Sequence, residues 1–129
     1  IPQFKSELGE SFIYHGVVFG KVKSDLLKQC DVFLLPSFYE GLPMSLLETM
    51  SYGMVPVATP VGSIPTVVSD NVNGLYVGLR NSDDIVSTIH HLCKDKALLK
   101  RLSSEAQNTI VSLFDDKVHI AKLNSLYNN

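Results

Sequence analysis

Residues 31–53, DVFLLPSFYEGLPMSLLETMSYG, decide the fold of this chain. The apolar run from Asp31 to Pro36 is typical of a strand buried on both faces of a parallel sheet. A helical pattern follows from Met44 to Tyr52 and ends at Gly53, a residue that commonly stands just past the last turn of a helix. The stretch therefore predicts a strand, a loop and a helix in succession, the repeating unit of an α/β domain.

Strand and helix patterns alternate along the rest of the chain. Further strands are predicted at residues 12–20, 55–59 and 75–77, a short helix or turn at 64–69, and helices at 24–30, at 82–94, from 95 onwards and at 116–126. Ser24 is the predicted N-cap of the first of these helices. The alternation predicts an α/β layer structure with parallel strands, followed by helices that cover one face of the sheet or pack on another domain.

Length and composition indicate one ordinary globular domain of 129 residues. The formal net charge of −2 implies no broad attraction to nucleic acid or to an anionic membrane. Cys30 and Cys93 lie far apart in apolar segments, so buried free thiols are expected rather than a disulfide, which fits a reducing cytoplasm. The chain opens without a Met, and we expect it to be part of something longer.

Two carboxylates, Glu40 and Glu48, bracket the predicted turn from strand to helix. Ligands of open parallel sheets bind at the carboxyl ends of the strands. The start of the helix offers free backbone N–H groups and the positive end of a dipole, which suit an anion. Phosphate at the helix start and hydroxyls at the two carboxylates would make a site shaped for a sugar nucleotide.

The N–H groups that could meet a phosphate belong to Leu42, Met44 and Ser45. Pro43 has no N–H to give and suits the first turn of a helix. Gly41 would allow a ligand to approach the backbone closely.

A metal ion is not expected at this site. Metal-dependent sugar transfer would favour paired acids, often Asp-x-Asp, to neutralise the leaving diphosphate. The chain has no Asp-x-Asp, and its adjacent Asp83–Asp84 and Asp115–Asp116 pairs occupy helix-start positions. His90 and His91 point to different sides of a helix and make a poor metal pair. The sequence thus favours fixed backbone dipoles over a metal.

Structural interpretations of the same residues stay open at this point. Ser45-x-x-Glu48 is also a capping-box pattern, which would make Glu48 a structural cap. Glu40 could be a solvated loop acid. Lys21 and Lys23 could meet a phosphate, although two exposed lysines are usually only solvated.

The residues around Glu40 resemble the acidic motif of retaining glycosyltransferases of group 1 (family 4), enzymes with the GT-B fold of two facing Rossmann-like domains. The motif is carried by Pro36, Ser37, Glu40, Gly41, Pro43 and Glu48, and further similar segments are Val17–Val22, Ala58–Pro65 and Asn73–Val77. In order and spacing, the resemblance covers about residues 15–110.

This resemblance implies a Rossmann-like domain of three layers, with a parallel sheet of about four strands and extra C-terminal helices. Residues 1–129 would form one partial donor-binding domain, the C-terminal one of a GT-B enzyme, with its sheet core at about 12–80 and its helical part at 82–129. An N-terminal domain outside this chain would bind the acceptor. An Arg and a Lys that clamp the diphosphate in family members precede the first residue here, so we expect the isolated chain to be inactive.

The resemblance also implies residue roles. Glu40 would be the catalytic residue, binding hydroxyls of the donor sugar near the reacting carbon, and Glu48 would bind the ribose hydroxyls. The sugar and diphosphate would be lined by Gly41, Leu42 and Pro43, with Met44 and Ser45 at the helix start and the Val22 backbone against the base.

The implied reaction is metal-independent sugar transfer with retention, without a cofactor. The donor would be a UDP, GDP or ADP sugar, and the acceptor a glycan, a lipid or another hydroxyl compound, with no role for nucleic acid. The protein would be cytoplasmic or peripheral at the inner face of the membrane. The alternatives are a sugar-nucleotide epimerase of the same fold and a non-catalytic Rossmann-like nucleotide-binding or interaction module.

Overall fold

The computed structural model describes residues 2–114. Its helices are α1 (Pro2–Leu8), α2 (Gly20–Leu27), α3 (Met44–Ser51), α4 (Ser82–Lys94) and α5 (Lys96–Phe114), its strands are β1 (Val32–Leu35), β2 (Val55–Ala58) and β3 (Leu75–Tyr76), and 3-10 turns lie at Gly9–Ser11 and Ile64–Thr66. The helix predicted at 116–126 lies outside the described residues.

The three strands form a parallel sheet in the order β1-β2-β3. Val32 is paired with Val55, Leu35 with Ala58, and Val57 with Leu75. Because all strands run the same way, their carboxyl ends lie along one edge of the sheet. The loops that follow β1, β2 and β3 therefore meet there.

Helices cover both faces of this sheet. On one face, Leu46 and Met50 of α3 pack with Ala58, and on the other, Leu92 of α4 packs with Val57. Helix α5 contributes to both clusters of buried side chains, through Ala106 and Leu102. The α/β structure with parallel strands predicted from the alternating pattern is confirmed, as are the three layers implied by the resemblance.

The strand predicted at residues 12–20 is wrong. Residues 12–19 have no regular secondary structure, and α2 begins at Gly20 with Phe19 as its N-cap, so Ser24 lies inside the helix. Within the described residues the sheet thus has three strands rather than about four. An apolar pattern reflects only the segment itself, whereas a strand also needs a neighbouring strand to pair with its backbone N–H and C=O groups. Positive φ values at Gly16 and Gly20 further break the extended path.

The cysteine thiols are free, as predicted, but they are exposed rather than buried. Cys93 follows Leu92, which is only 1% exposed, on helix α4. Successive residues of a helix point about 100° apart, so Leu92 takes the inward position and Cys93 turns outward. Cys30 follows α2, in a segment that is exposed throughout residues 28–31.

Candidate functional site

The loop at residues 36–43, between β1 and α3, carries Glu40 and is anchored by the neighbouring strand. The hydroxyl of Thr59, just past β2, donates a hydrogen bond to the carbonyl of Ser37. The hydroxyl of Ser37 in turn donates to Glu40 Oε1 at 2.6 Å. Thr59 is only 1% exposed, so the chain of bonds starts from the core. These two hydrogen bonds hold the half-buried Glu40 carboxylate in one orientation. They do not involve its other oxygen, Oε2.

Gly62 supports the same loop from below. Its φ is +56°, and a Cβ atom placed on it would lie 1.7 Å from the carbonyl oxygen of Glu40. No side chain fits in that space, and L residues rarely adopt that backbone conformation. The backbone of Glu40 packs directly against Gly62. The segment Ala58–Pro65 therefore requires a glycine at this position.

Helix α3 begins at Met44, with Pro43 as its N-cap in an extended conformation. No side chain caps this end, so the first N–H groups of the helix, including those of Met44 and Ser45, have no partner inside the helix or from a cap. Ser45 lies inside the first turn and is not the N-cap. The capping-box interpretation of Ser45 and Glu48 is therefore excluded.

Glu48 instead forms an ion pair across two helices. Its Oε2 lies 2.7 Å from Nζ of Lys23 on α2, and each of the two side chains is 39% exposed. One turn along α3, the hydroxyl of Tyr52 donates to Ser24 Oγ at 3.1 Å. These two contacts hold α2, which carries the exposed Val22, beside the helix that carries Glu48.

Arg80 is a site neighbour that the sequence analysis missed. Its guanidinium carbon lies 5.2 Å from the centre of the Phe38 ring, a cation–π distance. Arg80 follows β3 and Phe38 follows β1, so both lie at the carboxyl edge of the sheet. A signal was available, because an arginine that follows a parallel strand is carried to the same edge as the loops of its neighbours.

The predicted residues thus divide into two groups. Glu40, the loop residues that follow it, the start of α3 and Glu48 form one continuous unit, and Val22 is joined to it through α2. Lys21 stands apart, because it pairs with Asp25 within its own helix and is 87% exposed. His15, beside Gly16, is exposed and lies in the irregular segment before α2.

Among residues 2–114, no group of three or more His, Cys, Asp or Glu side chains could hold a metal ion. Within the same range, no helix combines the length and the apolar character needed to cross a membrane.

Known proteins share both the sequence pattern and the fold. The family model described as glycosyl transferases group 1 matches residues 5–109. The chain is 29% identical over 103 residues to UDP-Gal:alpha-D-GlcNAc-diphosphoundecaprenol alpha-1,3-galactosyltransferase of Escherichia coli, a match that covers 80% of the chain and 26% of that protein. It is 32% identical over 83 residues to D-inositol 3-phosphate glycosyltransferase of Streptomyces bingchenggensis, covering 64% of the chain and 18% of that protein.

Among solved structures, sucrose-phosphate synthase from Thermosynechococcus elongatus superimposes with a TM-score of 0.82 at 21% identity, over 98% of the chain and 32% of that protein. Anabaena Alr3699/HepE in complex with UDP gives a TM-score of 0.77 at 22% identity, over 99% of the chain and 36% of that protein. The chain therefore spans a third or less of the curated relatives named above and has the fold of part of a GT-B glycosyltransferase. It belongs to the family of glycosyl transferases group 1.

Proposed function

We propose that the chain is the donor-binding part of a metal-independent, retaining glycosyltransferase. The enzyme would transfer a sugar from a UDP, GDP or ADP sugar to a hydroxyl of a glycan, a lipid or another acceptor. One observation carries the proposal: the Glu40 carboxylate, fixed by Ser37, stands a few residues before the uncapped start of α3. A carboxylate for hydroxyls and a helix start for an anion thus share one loop.

The start of α3 would bind the diphosphate. The N–H groups of Met44 and Ser45 lie at the N-terminal end of α3, where the helix dipole favours negative charge. Leu42 and Pro43 would line the diphosphate. A Cβ atom placed on Gly41 would have no neighbour within 4 Å, so this position leaves room for the sugar. Donors held in place before the reaction stabilise the charge that develops on the leaving diphosphate.

Glu40 would act at the sugar. With Ser37 bonded to Oε1, the other carboxylate oxygen can accept a hydrogen bond from a sugar hydroxyl and hold the anomeric carbon in position. The bond from that carbon to the diphosphate oxygen would break, a bond to the acceptor oxygen would form on the same face, and the proton of the acceptor hydroxyl would pass to the departing diphosphate oxygen. Glu48 would receive the ribose hydroxyls, and the backbone of Val22 would meet the base.

Relatives support the donor and acceptor classes. The solved structures of Anabaena Alr3699/HepE include complexes with UDP and with UDP-glucose. The Escherichia coli relative is named for transfer of galactose from UDP-Gal to GlcNAc-diphosphoundecaprenol. For the present protein, these names favour a nucleotide-sugar donor and, among possible acceptors, a lipid-linked one. We propose that the enzyme acts from the cytoplasm, at the inner face of the membrane. A further N-terminal domain would bind that acceptor.

Glu40→Gln tests the proposed role in a protein that joins this chain to an acceptor-binding domain. We expect kcat to fall by about 10²-fold or more, because the charge near the reacting carbon is lost. Binding of UDP should change little, since Glu40 faces the sugar. The matched control is Glu10→Gln, an exposed acid in the 3-10 turn that follows α1, for which no change is expected.

An unchanged kcat for Glu40→Gln would contradict the catalytic assignment and favour a nucleotide-binding or interaction module. Epimerisation of the sugar nucleotide without transfer would favour the other alternative.

A further inference from the structure

Lys23 and Glu48 form a contact that the proposed function does not require. The two side chains come from different helices, and the contact joins Nζ to Oε2 at 2.7 Å. Both are partly covered, at 39% exposure, so the pair is less hydrated than an open surface pair and is still accessible to a ligand. Because the lysine engages Oε2, the other oxygen of Glu48 can still accept a hydrogen bond.

The neighbouring contact shows that this approach of α2 to α3 is built into the packing. Ser24 accepts a hydrogen bond from Tyr52 at 3.1 Å, one residue beyond Lys23 on α2 and one turn beyond Glu48 on α3. Lys21 provides the contrast within the same helix, because it pairs with Asp25 four residues on and is 87% exposed. Only Lys23 of these two lysines is directed to α3.

We propose that Lys23 is a positioning residue that holds the Glu48 carboxylate ready for the ribose diol of the donor. The inference rests on the proposed function, in which Glu48 binds the ribose. A free glutamate side chain loses rotamer freedom when it accepts hydrogen bonds from a ligand. The ion pair already restricts the Glu48 side chain before the nucleotide binds. Less rotamer entropy is then lost on binding, and the affinity increases. Lys23 thereby favours ligands that present adjacent ribose hydroxyls.

The test measures the dissociation constants of UDP and of 2′,3′-dideoxy-UDP by calorimetry. The variants are Lys23→Met, Lys23→Arg and the control Lys21→Met, each made with wild-type Glu48 and with Glu48→Gln in a protein that joins this chain to the expected diphosphate clamp and an acceptor-binding domain. Amide spectra show whether each variant keeps the fold. We expect Lys23→Met to weaken UDP binding about two- to fivefold, the range of a partly exposed ion pair. Binding of the dideoxy nucleotide should be unchanged, because it has no diol to position.

Three further results are expected. Lys23→Arg should recover most of the affinity, Lys21→Met should match the wild type, and Lys23→Met should have no effect when Glu48 is already glutamine. An equal loss for both nucleotides in Lys23→Met would overturn the proposal, since it would indicate a general attraction to phosphate. So would a Lys23→Met affinity equal to that of the wild type.

The proposed function fails in a different way. If that protein with wild-type Lys23 and Glu48 binds neither nucleotide, the donor-binding assignment itself is contradicted, and the role of Lys23 falls with it. If the wild type binds both equally well, Glu48 does not read the ribose, and the positioning role is overturned while the diphosphate site stands.

Discussion

Gly62 shows how a single residue supports the loop that carries Glu40. A Cβ atom there would overlap the carbonyl oxygen of Glu40, at 1.7 Å, and φ is +56°. Gly41, in the same loop as Glu40, has a backbone that other residues can adopt, and nothing lies within 4 Å of its missing Cβ. The two glycines thus differ physically, because the Glu40 backbone fills the space beside Gly62, whereas the space beside Gly41 is open.

Gly62→Ala is predicted to destabilise the fold by about 2 kcal/mol or more, because the left-handed backbone is strained for alanine and the Glu40 loop must shift. Gly41→Ala is the matched control and should change the free energy of unfolding by less than about 0.5 kcal/mol. Urea unfolding of both variants measures the difference. Equal stability of the two variants would mean that the Glu40 loop does not rest on Gly62.

The residue scale also marks a limit of sequence analysis. A local sequence pattern can predict a site at Glu40, Glu48 and the start of α3, because these residues lie close together in the sequence. The ion pair of Lys23 with Glu48 and the contact of Arg80 with Phe38 join distant positions. Such pairs depend on how helices and loops pack, which a local pattern does not contain.

At the scale of elements, hydrophobic patterning identified β1, β2, β3, α3, α4 and α5 nearly to their ends. It failed at residues 12–20, where the apolar pattern suits a strand but the structure has an irregular segment and then α2. Several apolar side chains of that segment are exposed, including Val17 at 82% and Phe19 at 77%. Periodicity predicts which face of an element can be buried, but a strand forms only where a neighbouring strand is available.

Tyr76, in strand β3, makes the stability of the fold depend on pH. The hydroxyl of Tyr76 donates to the carbonyl of Val68, and burial, with a smaller effect of the Asp70 charge, raises the pKa of Tyr76 above its ordinary value of 10.0. The unfolded chain therefore loses the tyrosine proton at lower pH than the folded chain does. The contribution of Tyr76 to stability is complete below pH 10 and is lost as the pH rises through the folded pKa.

Tyr76→Phe should accordingly reduce the loss of stability as the pH rises from about 10 through the folded pKa of Tyr76, while costing about 1 kcal/mol at neutral pH for the hydrogen bond. Thermal unfolding at a series of pH values measures both effects. Tyr39→Phe is the control, because Tyr39 is 85% exposed. If the alkaline limb of Tyr76→Phe matches that of the wild type, Tyr76 is not the group responsible.

At the scale of the whole molecule, the three-stranded sheet explains why the site lies where it does. Parallel pairing brings the loop with Glu40, the turn with Gly62 and the loop with Arg80 to one edge. Helix α4 lies on the other side of the strands from α3, and α5 contributes side chains to the buried clusters on both sides. The fold class could be predicted because alternation of strand and helix leaves few ways to cover a sheet. The contacts that support Glu40 could not be predicted, since they join its own loop to the separate loop that follows β2.

The central claim is that the β1–α3 loop and the adjoining face of α2 bind a nucleotide sugar. The most direct measurement is an NMR chemical-shift titration of this chain with UDP, GDP, ADP and a UDP-hexose at millimolar concentration. We predict shifts at residues 22–23 and 41–48, larger for one base than for the others, with further shifts at Glu40 when the hexose is present. Shifts confined to other parts of the chain would contradict the claim, and so would the absence of shifts with all four ligands in a protein that also contains the expected diphosphate clamp.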